Sequence, residues 1–375
     1  MKSVQEHVPQ PASQSSSGSS RVSLKDIADA LGISPTAVSF AINDRPGVSA
    51  ETKKRVKEAA AKLGWQPVYA AQALGSSKTM TVGFAPARFK QGLNEEAFML
   101  HFMAGVQASL SLKGYGLLYR PCSSAKEELA VYQDWASRKR VDGVILVDLR
   151  VDDQRPKLMN ALGLPAVLAG GPDPDNLVPS LSIDDSKTMD TILEHLRKMG
   201  HRRIAYLSGD PSLDYSRGRE AAFRQFANKY GLDDIHIDYT YFDSSVASEM
   251  TLNLLQSPQP PTAFIYESET LAAESLHSIT EWYVLDNYER TVQGVGELTG
   301  PRYPFNLPAI VSFEDSFVCE AAYPSITSVH RDASEYGSKI AKLLLKIFAG
   351  EKVSGNRKIL TPSLVVRDST SRTIN

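Results

Sequence analysis

The sequence predicts a small all-α head joined to an α/β body of two parallel-sheet lobes. Three observations carry that prediction. Between Val22 and Asn43, apolar residues recur at helical spacing on both sides of a Gly-centred turn. From Met80 onward, short unbroken apolar runs alternate with amphipathic helical stretches, as in parallel sheets covered on both faces. The alternating region runs to about 300 residues, more than one core usually serves, and so divides into two lobes.

Residues 1–20 are rich in Ser, Gln and Pro and read as a disordered tail. The head follows over 21–67. Leu24, Ile27, Ala28 and Leu31 form one face of a first helix, with Ser23 and Asp26 spaced as a capping box. Gly32 can take the left-handed conformation that ends it. Ser34 caps a second helix with Pro35 at its first position, where the missing N–H costs nothing. Ala37, Val38, Ala41 and Ile42 make its apolar side and leave Thr36, Ser39, Phe40 and Asn43 facing out. This is the form of a DNA-reading helix-turn-helix, though an ordinary helical hairpin shares the pattern. After the Asp44–Val48 loop, Ser49 caps a third helix through about Leu63, with Val56, Ala59, Ala60 and Leu63 inward.

Residues 68–79 read as a hinge: Val68–Leu74 could form two helical turns, too few to be stable alone, followed by a flexible Gly75–Thr79 joint. The body spans 80–370. Its expected strands are Met80–Ala85, Gly116–Tyr119, Gly143–Asp148, Ala166–Ala169, Ile204–Ser208, Ala263–Tyr266 and Ile310–Phe313. Its clearest helices are Phe98–Leu112, Glu127–Ser137, Lys187–Met199 and Arg217–Tyr230. In such sheets ligands sit beyond the carboxyl ends of the strands, which here carry Asp148, Arg150, Glu267-Ser-Glu269 and Glu314. Residues 279–308 are long and irregular and read as a lid, a partner surface or, first among these, a surface insertion.

Apolar content of 42% and charged content of 22% are those of a globular protein. The net charge of −2 divides into +4 over residues 21–78 and −6 over the body, which suits a phosphate-binding head. Cys122 and Cys319 lie in apolar surroundings and read as buried thiols. No apolar run approaches the ~20 residues of a membrane span, and Met1–Ser20 lacks a signal-peptide core. A cytoplasmic protein, nucleoid-associated when on DNA and without membrane contact, is the expectation.

With these residues in view, the chain resembles the lactose-repressor (LacI) family of bacterial transcriptional regulators from Val22 to about Asp368. The head carries the most specific match: Leu-Lys-Asp-Ile-Ala, Gly-Ile-Ser, Ala-Val-Ser, Gly47-Val-Ser49 and Leu63-Gly-Trp-Gln-Pro67 occur in register. In the body, Val141-Asp-Gly-Val-Ile145, the His195–Ile204 segment, Arg219-Glu-Ala-Ala-Phe223 and Pro324–Val329 match too. The resemblance implies a periplasmic-binding-protein-like body, with an N-lobe of about 80–179 plus 330–358 and a C-lobe of about 180–329 plus 359–370. It implies a homodimer or higher assembly on double-stranded operator DNA, acting as a repressor controlled by a small effector, commonly a sugar. No cofactor or metal is implied.

On DNA, Ser34, Pro35, Thr36, Ser39 and Phe40 would lie nearest the bases, and Lys25, Asn43 and Arg45 nearest phosphates. Val68–Leu74 aligns with the family's hinge helix, bringing Tyr69, Ala71 and Leu74 to DNA with Leu74 wedged into the minor groove. Phe40, Gln72 and Gly75 depart from the arginines many members carry there. For the effector, the resemblance points to Arg219, Ser268, Glu269 and Glu314, with Asp148, Arg150 and Asp214 on loops at the mouth. Glu269 and Glu314 stand where the family commonly has Asp, and Ser268 where it has Asn.

Two other classes fit less well. A nucleotide-binding enzyme lacks its motifs: Gly294-x-Gly-x-x-x-Gly300 misses the dinucleotide spacing, there is no P-loop, and no catalytic triad stands out. A solute-binding protein would share the body but not the head. A regulator answering to a non-sugar metabolite stays open.

Overall fold

Ser23 opens the first helix, α1 (Leu24–Leu31). Its hydroxyl accepts from the Asp26 N–H at 3.4 Å and its own N–H donates to the Asp26 carboxylate at 2.7 Å, satisfying two end groups reciprocally. Gly32, at φ 66°, turns the chain out of it. Ser34 and Ser49 cap α2 (Pro35–Ile42) and α3 (Ala50–Lys62) without that reciprocal bond, their hydroxyls accepting from the N–H groups of Ala37 and Thr52. Ile27, Ala28, Val38, Ala41, Val56 and Ala60 close the small core where the three helices meet. Leu63, expected inward, is 39% exposed, because the helix ends at Lys62 and Trp65 packs against the core instead.

The computed structural model describes residues 22–65, 78–87, 97–232, 234–292, 307–358 and 362–371. Residues 68–77 of the expected hinge, with Tyr69, Ala71 and Leu74, lie outside them, as do the N-terminal tail and residues 293–306. The chain forms two compact units, residues 1–78 and 79–375.

The second unit holds two six-stranded sheets. The first contains β1 (Thr81–Phe84), β2 (Gly116–Tyr119), β3 (Gly143–Leu146), β4 (Ala166–Ala169), β5 (Ser180–Ser182) and, at its edge, β11 (Asn356–Lys358), in the order β11-β5-β4-β3-β1-β2 and all parallel. The second contains β6 (Arg203–Ser208), β7 (Asp234–Tyr239), β8 (Ala263–Tyr266), β9 (Ala309–Ser312), β10 (Thr327–His330) and β12 (Ser363–Val365), in the order β12-β10-β9-β8-β6-β7. Among the described residues only the β10–β12 pair of this sheet is antiparallel.

Helices α4 (Ala97–Ser111), α5 (Ala125–Ser137), α6 (Arg155–Leu162) and α12 (Ala333–Phe348) belong to the first lobe. Those of the second are α7 (Asp185–Lys198), α8 (Asp214–Tyr230), α9 (Ser244–Leu255), α10 (Glu269–Val292) and α11 (Phe317–Ala321). The chain passes between lobes three times: after β5, after β10 and between β11 and β12. Ser180–Ser182 pairs in the first sheet, so the first passage follows residue 182 and not residue 179. Residues 279–292 are not an irregular insertion but the second half of α10. Among the described residues no helix is long and apolar enough to cross a membrane.

Helices α4 and α12 touch backbone to backbone at two glycines. A Cβ on Gly105 would stand 1.9 Å from the Ser334 carbonyl oxygen, and one on Gly337 2.1 Å from that of Phe102. Because the obstacle is backbone, the helices must separate to admit even a methyl group. Gly337→Ala is therefore expected to cost about 2–3 kcal/mol in urea unfolding, at the upper end of ordinary overpacking. A midpoint equal to wild type would show that the helices yield freely.

Candidate functional site

The outer surface of the head is polar. Lys25, Ser34, Pro35, Thr36, Asn43 and Arg45 are exposed, and Ser39 and Phe40 half-buried. Several have local duties as well: Ser34 caps α2, and the Asn43 amide donates to the Ser39 carbonyl at 2.8 Å. Phe40 does not face out fully. Its ring lies 5.9 Å beneath the Arg45 guanidinium and beside Gly47, which shields one face.

In the body, a cavity of about 270 Å³ opens between the carboxyl ends of the two sheets. Of the residues expected there, Asp148, Asp214, Arg219, Ser268 and Glu314 line it. Arg150 and Glu269 do not. Aromatic rings of Phe98, Phe102 and Tyr336 from the first lobe and Tyr215 and Phe242 from the second supply its apolar walls. Gly209 makes room for Phe242, since a Cβ there would lie 2.3 Å from the ring.

Arg219 is the centre of the charge network. It sits on α8, 3% exposed, with its guanidinium 4.2 Å over the Phe313 ring and 5.0 Å from that of Tyr215. Its Nη2 and Nε donate to Asp185 at 2.6 and 3.0 Å, and its Nη1 to Glu267 at 2.6 Å. Glu267 also accepts from the Tyr206 hydroxyl. Two carboxylates thus hold one arginine, and these neighbours keep it charged despite complete burial. Arg331 pairs with Glu314 in the same cavity, and Lys358 with Asp184 at 3.0 Å. Burial raises the Glu314 carboxyl above its ordinary range against the pull of Arg331 and Arg219. Burial and the Asp185 charge raise Asp214.

Sequence reasoning missed Asp185, Arg331 and Lys358, and named Glu267 only within a strand-end run without choosing it as an effector contact. Glu267 had a usable signal: it opens the Glu-Ser-Glu run at the end of β8, just before Ser268 and Glu269, to which the resemblance points. Arg331 and Lys358 had none, because β10, which precedes Arg331, is too polar to read as a strand and β11, which ends in Lys358, is only three residues long.

Arg150 turns away from the cavity to Glu128. That fully buried carboxylate accepts from Arg150 Nη2 at 3.0 Å, Arg155 Nη1 at 2.7 Å and the Tyr132 hydroxyl at 3.1 Å. Arg155 also holds Asp153 and the Asp148 carbonyl, the latter at 2.7 Å. The cluster fixes the loop after β3, where Asp148 stands at φ 52° and Asp152 at 57°. That loop spans the cleft: Val151 N–H donates to the Ser212 carbonyl at 2.9 Å and Asp214 N–H to that of Leu149 at 2.8 Å. Arg150 is a positioning residue for an inter-lobe clasp, a role that only its partner 22 residues away reveals.

Glu269 begins α10 and is 2% exposed, with Oε2 lacking a partner among the described residues. Its carboxyl accepts from its own N–H and from that of Ala97, at the start of α4 in the other lobe. Burial first, and then the Glu314 charge, push it up to about 7. Both cysteines are buried thiols, pushed up to about 11 by burial.

A two-lobed body with a ligand-sized cleft, on one chain with a helix-turn-helix head, defines a DNA-binding regulator of the effector-responsive class. Residues 23–68 match the family model of bacterial regulatory proteins of the lacI family, and residues 193–282 and 303–370 that of a periplasmic binding protein-like domain. The HTH-type transcriptional regulator CelR of Thermobifida fusca is 30% identical over 356 residues, which cover 93% of this chain and 98% of that one. The chain belongs to the LacI family of transcriptional regulators. Its fold is similar to a solved CelR–cellobiose complex (27% identity, TM-score 0.65, covering 93% of this chain and 100% of that one). It is similar too to the lac repressor dimer bound to operator and an anti-inducer (22% identity, TM-score 0.74, covering 93% and 99%).

Proposed function

We propose that this protein is a cytoplasmic, homodimeric repressor whose affinity for operator DNA is set by a sugar bound between its lobes, and that it is not an enzyme. The observation that carries the reading is the inter-lobe cavity, where aromatic faces and paired carboxylates line one space from both sides. Flat apolar rings suit the faces of a sugar ring, and carboxylates accept its hydroxyls. The CelR complex, solved with cellobiose, supports a sugar over other metabolites. A ligand that favours one lobe arrangement over another shifts the population that can engage the operator. Asp148, Asp214, Arg219, Ser268 and Glu314 are the proposed effector contacts, with the domain limits read from the sequence and corrected at residue 182.

The test is direct. Operator fragments are selected from genomic DNA by the full-length chain, and mono- and disaccharides are then scored for changing the affinity. Sugar-dependent release or tightening is expected. Selection of a discrete site with no response to any sugar would leave a DNA-binding repressor and remove the sugar.

For the reading head, the proposed base contacts are Ser34, Pro35, Thr36, Ser39 and Phe40, with Lys25, Asn43 and Arg45 on phosphates and Tyr69, Ala71 and Leu74 at the hinge. Phe40 offers only an apolar edge, suited to a thymine methyl. Phe40→Arg is expected to move the selected site toward guanine at one position per half-site, by about 1–3 kcal/mol of discrimination. An unchanged site preference would place Phe40 in the head's core alone.

A further inference from the structure

We infer that Glu267 makes the cleft exclude anions, so that the effector is a neutral or positively charged sugar and not a phosphorylated or carboxylated one. The inference rests on the sugar-effector reading above and narrows it.

The charges of the cleft carry the argument. Among the described residues six carboxylates line it, those of Asp148, Asp184, Asp185, Asp214, Glu267 and Glu314, against the three cations Arg219, Arg331 and Lys358. Each of those cations already pairs with a lining carboxylate: Arg219 with two, at 2.6 Å each, Arg331 with Glu314, and Lys358 with Asp184. An incoming phosphate or carboxylate would therefore have to displace a carboxylate from its arginine. It would do so among like charges, in a partly dry space where repulsion is poorly screened. A hydroxyl asks for neither, since it can donate to the carboxylates as they stand. An ammonium is attracted to the excess.

Glu267 is the deciding member. At 2% exposure it is the most deeply buried of the six, and it is held from behind by the Tyr206 hydroxyl. Asp185 also pairs with Arg219, but through the opposite side of the guanidinium, on Nε and Nη2. Glu267 takes Nη1. Without its charge, Arg219 would keep one counter-ion in place of two and become a centre for a ligand anion.

The variant E267Q keeps the shape. Its amide oxygen can still accept from Arg219 Nη1, and its amide N–H can donate to the Tyr206 hydroxyl oxygen. Full-length wild type, E267Q and the control E194Q are titrated calorimetrically with a matched panel. The panel comprises the neutral, amino, uronic and 6-phosphate forms of glucose and galactose, with cellobiose, maltose and inorganic phosphate. Glu194 lies on α7 outside the cleft, so E194Q changes the overall charge equally without touching the site.

In wild type, neutral or amino sugars are expected to bind at least tenfold more tightly than their anionic forms. In E267Q that ratio should shrink by tenfold or more, and inorganic phosphate should gain as much; E194Q should match wild type. An anionic sugar binding wild type as tightly as its neutral form overturns the inference and leaves the sugar reading intact. So does a ratio unchanged in E267Q, or equally changed in E194Q. If no sugar binds any variant, the sugar reading fails, and phosphate still decides the exclusion: equal affinity for wild type and E267Q overturns it, and a gain confined to E267Q upholds it.

Discussion

Replacing Arg219 with methionine is expected to lower the unfolding free energy by about 3–5 kcal/mol, the usual cost of removing one member of a buried ion pair. The reason is what remains. Asp185 and Glu267 lie within 2.6 Å of the guanidinium, and Glu267 is 2% exposed, so two carboxylates would be left beside an apolar side chain. The sign follows from desolvation: a buried carboxylate without its cation either stays charged at high cost or takes a proton. Adding E267Q to R219M should restore part of the loss, because one of the two stranded charges is then gone. Urea unfolding of the three proteins at pH 7.5 checks this. A single variant within about 1 kcal/mol of wild type would mean that water reaches the pair and the pairing is weak. Effector response should be absent in R219M whatever its stability, since the same side chain lines the cleft.

Glu269→Gln works in the opposite direction. The Glu269 carboxyl is raised from its ordinary 4.5 to about 7, so the folded protein retains a proton that the unfolded chain has already released. That proton favours folding at low pH. The advantage is lost progressively as pH rises from about 4.5 to about 7, leaving a buried charge with one oxygen unpartnered among the described residues. A shift of this size corresponds to about 3 kcal/mol. E269Q should therefore match wild type near pH 4 and exceed it by up to about 3 kcal/mol at pH 8. Asp153 and Asp315 are held below their ordinary range by arginine neighbours, so their contribution is lost only on the acid side. The difference between E269Q and wild type isolates Glu269 from them. Parallel stability curves across pH 4–8 would show the carboxyl to be hydrated. Because Glu269 reaches the Ala97 N–H of the other lobe, the same titration should also alter effector affinity.

The head was legible because its signals are local. Ser23 with Asp26, Gly32, and Ser34 with Pro35 act within one or two turns, and each does in the structure what its spacing predicts. The central strands β1, β3, β4, β6, β8 and β9 were legible for a different reason: helices cover both faces, so their residues must be apolar almost without interruption. The expected strands appear close to their ranges. The others did not announce themselves. β5, β11 and β12 are three residues long, β7 is an edge, and β10 is polar. In β10 the buried Thr327 and Ser328 are tolerated because Ser369, Thr370 and Asp315 supply their hydrogen bonds from elsewhere in the chain. No local pattern encodes that.

The same division runs through the site. From residue types and order alone came the helix-turn-helix and the two-lobed body, and the family resemblance added Arg219. Whether that arginine is a bare positive charge or a balanced one was decided by Glu267, 48 positions along the chain, and by Asp185, 34 positions back. Arg150 and Glu269 were placed at the right loops, yet the fold turned one toward Glu128 and buried the other against Ala97. Hydrogen-bonded turns and periodic faces depend on neighbours in sequence, and a sequence can state them. The charge of a cleft depends on separation in space, and only the packed lobes bring those carboxylates together.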